Sequence, residues 1–120
     1  MLKKKFNTIE LKSGEKKLTV VFEDKGYELL STFFFVEAGS FESWIRQNIT
    51  EVLQGKAESR DISGNICELI IGKENTVIYD TLADDGKGSL CTVPTRELLN
   101  LLDEWSGIVY KLKHTKGELL

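Results

Sequence analysis

The sequence predicts a single α+β domain in which two amphipathic helices cover a mostly antiparallel sheet in two layers. The chain has 120 residues, 41% of them hydrophobic, which is enough for one core. Several stretches alternate apolar and polar residues and are joined by short turns, which favours antiparallel strands. Two other stretches repeat apolar residues every three or four positions, as amphipathic helices do. The expected order over residues 1–120 is β-β-β-α-β-β-β-β-α.

The first third of the chain is expected to form three strands. Residues 4–11 and 17–23 alternate around the turn at Ser13–Gly14. Residues 27–36 follow a second turn at Lys25–Gly26. Their second half is apolar on both sides, which is typical of a central strand covered on both faces.

Residues 41–54 are expected to form the first helix. Ser40 is a suitable N-cap because its hydroxyl can accept a hydrogen bond from an otherwise unpaired backbone N–H. Gly55 suits the C-terminal cap. One apolar stripe contains Phe41, Trp44, Ile45, Ile49, Val52 and Leu53.

The second half of the chain predicts four short strands and a final helix. The strands are expected at residues 57–62, 65–71, 76–82 and 89–93, with a hairpin loop at Gly72–Asn75. Thr95 caps the helix, whose broad apolar face reaches Leu112, and residues 114–120 are expected to be a frayed tail. Trp44 and Trp105 share apolar stripes with aliphatic residues, so both are predicted core anchors.

Charge is distributed unevenly along the chain. Residues 1–17 carry six lysines and two glutamates, a net charge of +4, whereas residues 18–110 carry seven basic and 16 acidic residues, a net charge of −9. The last ten residues add +2. An acidic body repels nucleic acid and anionic membranes and attracts a basic partner at long range. We therefore expect a basic protein partner, and neither direct nucleic-acid binding nor membrane binding.

The cysteines and the N-terminus predict a cytoplasmic protein. Cys67 and Cys91 lie in apolar, strand-like surroundings and are expected to be buried thiols, unless the two strands are neighbours and allow a disulfide. Apolar runs of about 18 residues, the length of a membrane span, are absent. The basic start lacks the apolar run of a signal peptide, because Asn7 and Glu10 interrupt it.

The sequence contains no recognised enzyme motif. Patterns of the GxGxxG, GxxxxGK[ST], GxSxG and HExxH types are missing. His114 is the single histidine, so neither a Ser-His-Asp nor a Cys-His arrangement can form, and a zinc site is not expected. The prediction is a protein without catalytic residues, cofactor or metal. An enzyme acting through carboxylates alone is the remaining catalytic alternative.

Three aspartates form the strongest candidate site. Asp80 ends a predicted strand, and Asp84 and Asp85 lie in the loop that follows. They suit a metal site or a negative surface for a partner, or else a solvated loop whose Asp side chains bond their own backbone. Glu74 is added from the neighbouring hairpin loop. Tyr79 is the candidate aromatic anchor, for which a core position is an equal alternative.

Several stretches of the chain resemble a known family. The run Leu18–Trp44 contains Phe-Phe-Phe and then opens a helix with Ser-Phe-Glu-Ser-Trp. Ile78–Asp80 precedes an acidic loop, and Val93–Leu99 and Asp103–Trp105 give a Pro-Thr helix entry with a Leu-Leu and Trp pattern. Over residues 18–110 this is similar to small immunity proteins of bacterial toxin systems, including contact-dependent growth inhibition. The resemblance implies an inhibitor that masks a nuclease-type toxin domain.

The residues and the resemblance lead to two principal hypotheses. The first is a cytoplasmic, non-enzymatic immunity protein that binds a cognate toxin domain, with an acidic rim formed by Asp80, Asp84, Asp85 and Glu74. The second is a small-ligand-binding or regulatory domain with a pocket between sheet and helices. An open edge strand could also pair with a partner or with a second copy in a homodimer.

Overall fold

A computed structural model describes residues 3–36, 38–64, 66–81 and 90–119. The strands are β1 (Lys4–Glu10), β2 (Lys16–Phe22), β3 (Ser59–Ser63), β4 (Cys67–Gly72), β5 (Asn75–Asp80) and β6 (Leu90–Pro94). The helices are α1 (Glu28–Val36), α2 (Ala38–Leu53) and α3 (Thr95–Leu119), and a short 3₁₀ turn covers Lys25–Tyr27. The α+β class is confirmed, and the order is β-β-α-α-β-β-β-β-α.

The strands form two antiparallel sheets rather than the one that was predicted. β1 and β2 make a two-stranded sheet, and β3, β4, β5 and β6 follow one another in a four-stranded meander. All the pairings are antiparallel, as the short turns predict. The helices α2 and α3 both contact the four-stranded sheet, and α1 contacts both sheets. The layered arrangement therefore holds, with α1 between the two groups of strands.

The prediction of a central strand over residues 27–36 is wrong, because this segment forms α1. The strand prediction relied on the second half of the segment being apolar on both sides, and a short apolar run of this kind does not distinguish a buried strand from a buried helix. The same residues also fit a helix, since the buried ones recur at positions i, i+1, i+4 and i+5 and so share one face. These buried residues are Leu29, Leu30, Phe33 and Phe34.

Helix α2 begins three residues earlier than the sequence predicts and ends at Leu53, one residue before the predicted end. Ser40 lies within the helix, so the predicted N-cap is wrong. Gly55 has a positive φ of 81°, and its N–H donates to the carbonyl of Val52 at 3.1 Å. The N–H of Lys56 donates to the carbonyl of Glu51 at 2.9 Å. This pattern closes the helix with a left-handed glycine cap.

The two tryptophans have different environments. Trp105 is 8% exposed, and its ring centroid lies 6.2 Å from that of Phe34, so its predicted core role is confirmed. Trp44 is 43% exposed, and its predicted core role is wrong. The buried stripe of α2 contains Ile45 and Ile49. Trp44 is about 100° around the helix axis from its neighbour Ile45, which turns it away from the centre of this stripe.

A buried hydrogen-bond network joins the start of α3 to the β4–β5 loop. The N–H of Thr95 donates to the carbonyl of Glu74 at 2.9 Å. Its hydroxyl donates to the carbonyl of Gly72 at 2.5 Å and lies 2.8 Å from the hydroxyl of Thr76. Thr76 and Thr95 are both fully buried. The last helix is therefore fixed to the sheet by polar contacts at its first residue.

Helix α3 passes through Gly107 without a break and continues to Leu119. The frayed character of residues 114–120 stays a prediction. Ion pairs connect the helices to each other and to the strands: Arg46 of α2 contacts Asp103 of α3, and Lys4 of β1 lies 3.1 Å from Glu104. Among the described helices, none has both the length and the apolar character needed to cross a membrane.

Cys67 and Cys91 are buried thiols that form no disulfide, as predicted. Cys67 lies on β4 and Cys91 on β6, so β5 separates the two strands. Burial is the main cause that raises the pKa of the Cys91 thiol. Both side chains therefore pack as small apolar groups of the core.

Candidate functional site

The predicted acidic rim is only partly within the described residues. Asp80 is half-buried at the end of β5, opposite Cys67 of β4. Asp84 and Asp85 lie outside the described residues. Glu74 is exposed in the β4–β5 loop, before the first residue of β5. The six residue steps from Glu74 to Asp80 span about 20 Å in an extended strand, so the structure does not bring these two residues together.

Tyr79 lies on the other face of the sheet from Asp80. Consecutive strand residues point to opposite faces, and Asp80 shares the face of the buried Ile78. Tyr79 is half-buried, and its directly opposite neighbours are Glu68 on β4 and Leu90 on β6. Tyr79 is therefore not a core residue, as the alternative interpretation had it. Its role as a binding anchor stays a prediction.

One face of the four-stranded sheet is directed away from the core. We call it the outer face and define it by the residues that alternate with buried ones along β3–β6. The strand register arranges its central residues in two adjacent cross-strand rows. The first row is Ser63, Glu68, Tyr79 and Leu90, and the second is Asp61, Ile70, Val77 and Thr92.

Apolar side chains make up the middle of the outer face. Ile70 is 38% exposed and directly opposite Val77, while Leu90 is 55% exposed and directly opposite Tyr79. Directly opposite side chains have Cβ atoms about 5 Å apart. Val77 and Tyr79 are two residues apart on the same face of β5, so the two pairs form one continuous patch. An antiparallel sheet commonly has one face packed on the core and a polar face in solvent. This outer face instead has apolar residues at its centre.

A pair of carboxyl groups borders this apolar patch. Asp61 of β3 and Glu68 of β4 lie diagonally across the two strands. A hydrogen bond with Asp61, and then the repulsion between the two charges, raises the pKa of the Glu68 carboxyl. The pair supplies two oxygen-bearing side chains, and the described part of the chain has no group of three or more side chains able to hold a metal ion.

The outer face has acidic charge and no opposing basic charge on its strands. Arg60 is the basic residue within β3–β6, and alternation places it on the other face. There it contacts Glu51 of α2 at 2.9 Å. Among the described strand residues, the charged groups of the outer face are therefore Asp61 and Glu68.

A separate depression of about 310 Å³ lies between β2 and the start of α1. Phe22 and Tyr27 form its aromatic part, with ring centroids 5.8 Å apart, and Glu23, Asp24 and Glu28 also line it. Burial, followed by nearby anionic groups, raises the pKa of Tyr27. The pocket of a small-ligand-binding domain stays a prediction.

Comparison with known proteins identifies the family. The chain is 40% identical over 93 residues to a Bacillus cereus protein named "Immunity protein", and the aligned region covers 78% of this chain and 80% of the relative. The chain belongs to this immunity protein family. No family model matches the sequence, and no solved structure matches it. The resemblance to immunity proteins is thus confirmed, while membership of the contact-dependent growth inhibition type stays a prediction.

Asp61 and Glu68 were not among the site residues predicted for this immunity protein family member. The sequence does indicate that Glu68 points outward from its strand, because it alternates with the apolar Cys67 and Leu69. The neighbours of that side chain depend on the register between strands. That register became evident only with the structure.

Proposed function

We propose that this protein neutralises a cognate bacterial toxin by binding its toxic domain. The observation that carries the proposal is the 40% identity to a protein named "Immunity protein" over most of both chains. The acidic body supports a basic binding partner, because opposite charge accelerates association. Fast capture suits this role, since free toxin is harmful until it is bound.

We further propose that the toxin is a nuclease and that the protein inhibits it by covering its basic surface. A nuclease must hold phosphate groups, so its active-site surface is rich in Lys and Arg. An acidic protein without enzyme motifs can occupy such a surface without performing chemistry. The proposed inhibitor is non-enzymatic and acts in the cytoplasm of the cell that makes it.

The growth of cells that express the toxin tests the first proposal. A candidate toxin domain, taken from a protein encoded next to this chain, is expressed from an inducible promoter, with and without this chain. We expect growth arrest with the domain alone and normal growth when both proteins are present. An unrelated toxin serves as the control, against which this chain should give no protection. Continued arrest by the cognate domain despite soluble expression of both proteins would contradict the proposal.

The nuclease proposal has a separate test. The purified toxin domain is incubated with RNA and with DNA, and this chain is added in increasing amounts. Cleavage that stops near one equivalent of the chain supports inhibition of a nuclease. A toxin that arrests growth, cleaves neither nucleic acid and is still neutralised would remove the nuclease proposal and leave toxin neutralisation in place.

The depression beside α1 is the observation that favours the alternative of a small-ligand-binding domain. Native mass spectrometry of the protein purified from its own host tests it. A bound small molecule that is lost on changing Tyr27 to Ala would support the alternative. A spectrum containing the mass of the chain alone would count against it.

A further inference from the structure

We propose that the outer face of the four-stranded sheet is the docking surface for the toxin domain, and that it receives a basic surface of that domain. The inference rests on the proposed function and assigns a location to it. Tyr79 was predicted to be an anchor beside the acidic rim. In the structure its opposite neighbours are instead Glu68 and Leu90. The proposal therefore moves the interface from the ends of β5 to the middle of the sheet.

The apolar part of the outer face has the composition of an interface centre. Tyr79 and Leu90 form one directly opposite pair, and Ile70 and Val77 form the next. Exposed apolar patches on a soluble protein often mark sites of protein contact. Tyrosine is enriched at binding hot spots because it combines a large apolar ring with a polar hydroxyl. The half-buried ring of Tyr79 is thus held by its strand neighbours and still accessible to a partner.

The charged residues of the outer face indicate the charge that its partner should carry. Asp61 and Glu68 lie diagonally across β3 and β4, and the described strands β3–β6 carry no basic residue on this face to balance them. A Lys or Arg side chain from a partner would supply the missing positive charge and form charge-assisted hydrogen bonds with both carboxylates. A basic protein surface is therefore the occupant that the face fits.

A second copy of this chain fits the outer face less well. In a symmetric face-to-face dimer each copy presents the same surface to the other. Two Asp61–Glu68 pairs would then lose contact with water without gaining any cation from the facing strands. Burying unpaired charge is costly, which favours a basic toxin domain over self-association.

The test measures association of the candidate toxin domain used in the growth experiment with paired charge variants of the full chain. Asp61→Lys combined with Glu68→Lys changes the outer face. Glu10→Lys combined with Glu15→Lys is the matched control, because it gives the same change in net charge at exposed positions of the β1–β2 hairpin. We expect the outer-face variant to reduce the association rate at least about tenfold relative to the control. The milder change of Asp61→Asn with Glu68→Gln should weaken binding in the same direction if the lysine variant folds poorly.

Dissociation is measured with Tyr79→Ala, and Tyr110→Ala on α3 is its control. We expect about tenfold faster dissociation for the Tyr79 variant alone, since losses at an interface centre act mainly on the dissociation rate. Equal rates for outer-face and control variants, with tight binding by the unchanged chain, would overturn the location and leave the proposed function standing. Absence of binding by the unchanged chain would overturn both. A dimer in solution that dissociates on changing Ile70 to Lys would assign the face to a second copy.

Discussion

The hydroxyl of Thr95, at the first residue of α3, donates a 2.5 Å hydrogen bond to the carbonyl of Gly72 at the end of β4. These two residues are 23 positions apart in the sequence, and the bond joins the last helix to the central hairpin. A Cβ added at Gly72 would lie 2.9 Å from the carbonyl oxygen of Asn75, which is closer than a side chain tolerates. The small residue at position 72 and the hydroxyl at position 95 therefore maintain one compact junction.

Thr95→Ala should destabilise the protein by about 1–3 kcal/mol, because it leaves the Gly72 carbonyl and the Thr76 hydroxyl without this partner in a buried position. Urea denaturation followed by circular dichroism measures the free energy of unfolding. Thr32→Ala is the control, since Thr32 is an exposed residue of α1 and its change should stay within about 0.5 kcal/mol. Equal stabilities of the two variants would show that the junction contributes nothing.

Trp105→Ala should cost about 3–5 kcal/mol of unfolding free energy, because it removes a buried aromatic ring from the contact with Phe34. Trp44→Ala should cost less than about 1 kcal/mol, since that ring is 43% exposed. The two variants are each other's control, because they remove the same side chain from a helix. A loss at Trp44 as large as that at Trp105 would be inconsistent with the described packing of α2.

Trp105→Phe should be much less costly than Trp105→Ala. The indole N–H of Trp105 is buried and has no hydrogen-bond partner among the described residues. Phenylalanine retains most of the ring and removes this unpaired donor. Thermal unfolding compares the variants, and a Phe variant as unstable as the Ala variant would indicate that the N–H does find a partner.

The effect of the Asp61–Glu68 pair on the free energy of unfolding should change with pH. The folded state raises the pKa of Glu68 above its ordinary value of 4.5, so the folded protein binds this proton more tightly than the unfolded chain does. The contribution of Glu68 to the free energy of unfolding therefore falls as the pH rises from below 4.5 through the raised pKa. Glu68→Gln removes the charge, and its stability relative to the unchanged protein should be higher at about pH 7 than at about pH 4.

Urea denaturation at these two pH values makes the measurement, with Glu74→Gln in the β4–β5 loop as the control. The control should not reproduce the difference, because Glu74 lies away from Asp61 in the sheet. If Glu68→Gln and the unchanged protein have the same pH dependence, the hydrogen bond with Asp61 and the repulsion between the two charges do not raise the pKa of Glu68.

The hairpins of this fold could be predicted from the sequence, and the contacts between distant elements could not. The turns at Ser13–Gly14 and Gly72–Asn75 stand between alternating runs, so local chemistry determines those strand pairs. The segment that became α1 fits two periods at once, and its contacts with both sheets decided in favour of the helix. The local pattern of Trp44 fits an apolar stripe, but its exposure depends on where α2 contacts the sheet.

In the candidate binding surface too, single residues could be predicted from the sequence but their neighbours in space could not. Tyr79 could be chosen from the sequence, because an aromatic residue next to acidic ones suits an interface. Glu68 is its cross-strand neighbour on β4, and Asp61 lies diagonally from Glu68 on β3, a register that no local pattern specifies. The predicted acidic rim combines mostly residues that are close in sequence, whereas the outer face is assembled from residues that are close in space.

Direct titration of this protein into the purified candidate toxin domain of the growth experiment tests the central claim most directly. Isothermal calorimetry should give a one-to-one complex with a Kd in the nanomolar range or tighter, about −12 kcal/mol or below, as expected for an inhibitor that must capture a lethal domain. Raising the salt concentration should weaken binding, because screening reduces the attraction between opposite charges. The absence of binding at about 10 μM to a domain that does arrest growth would contradict the account.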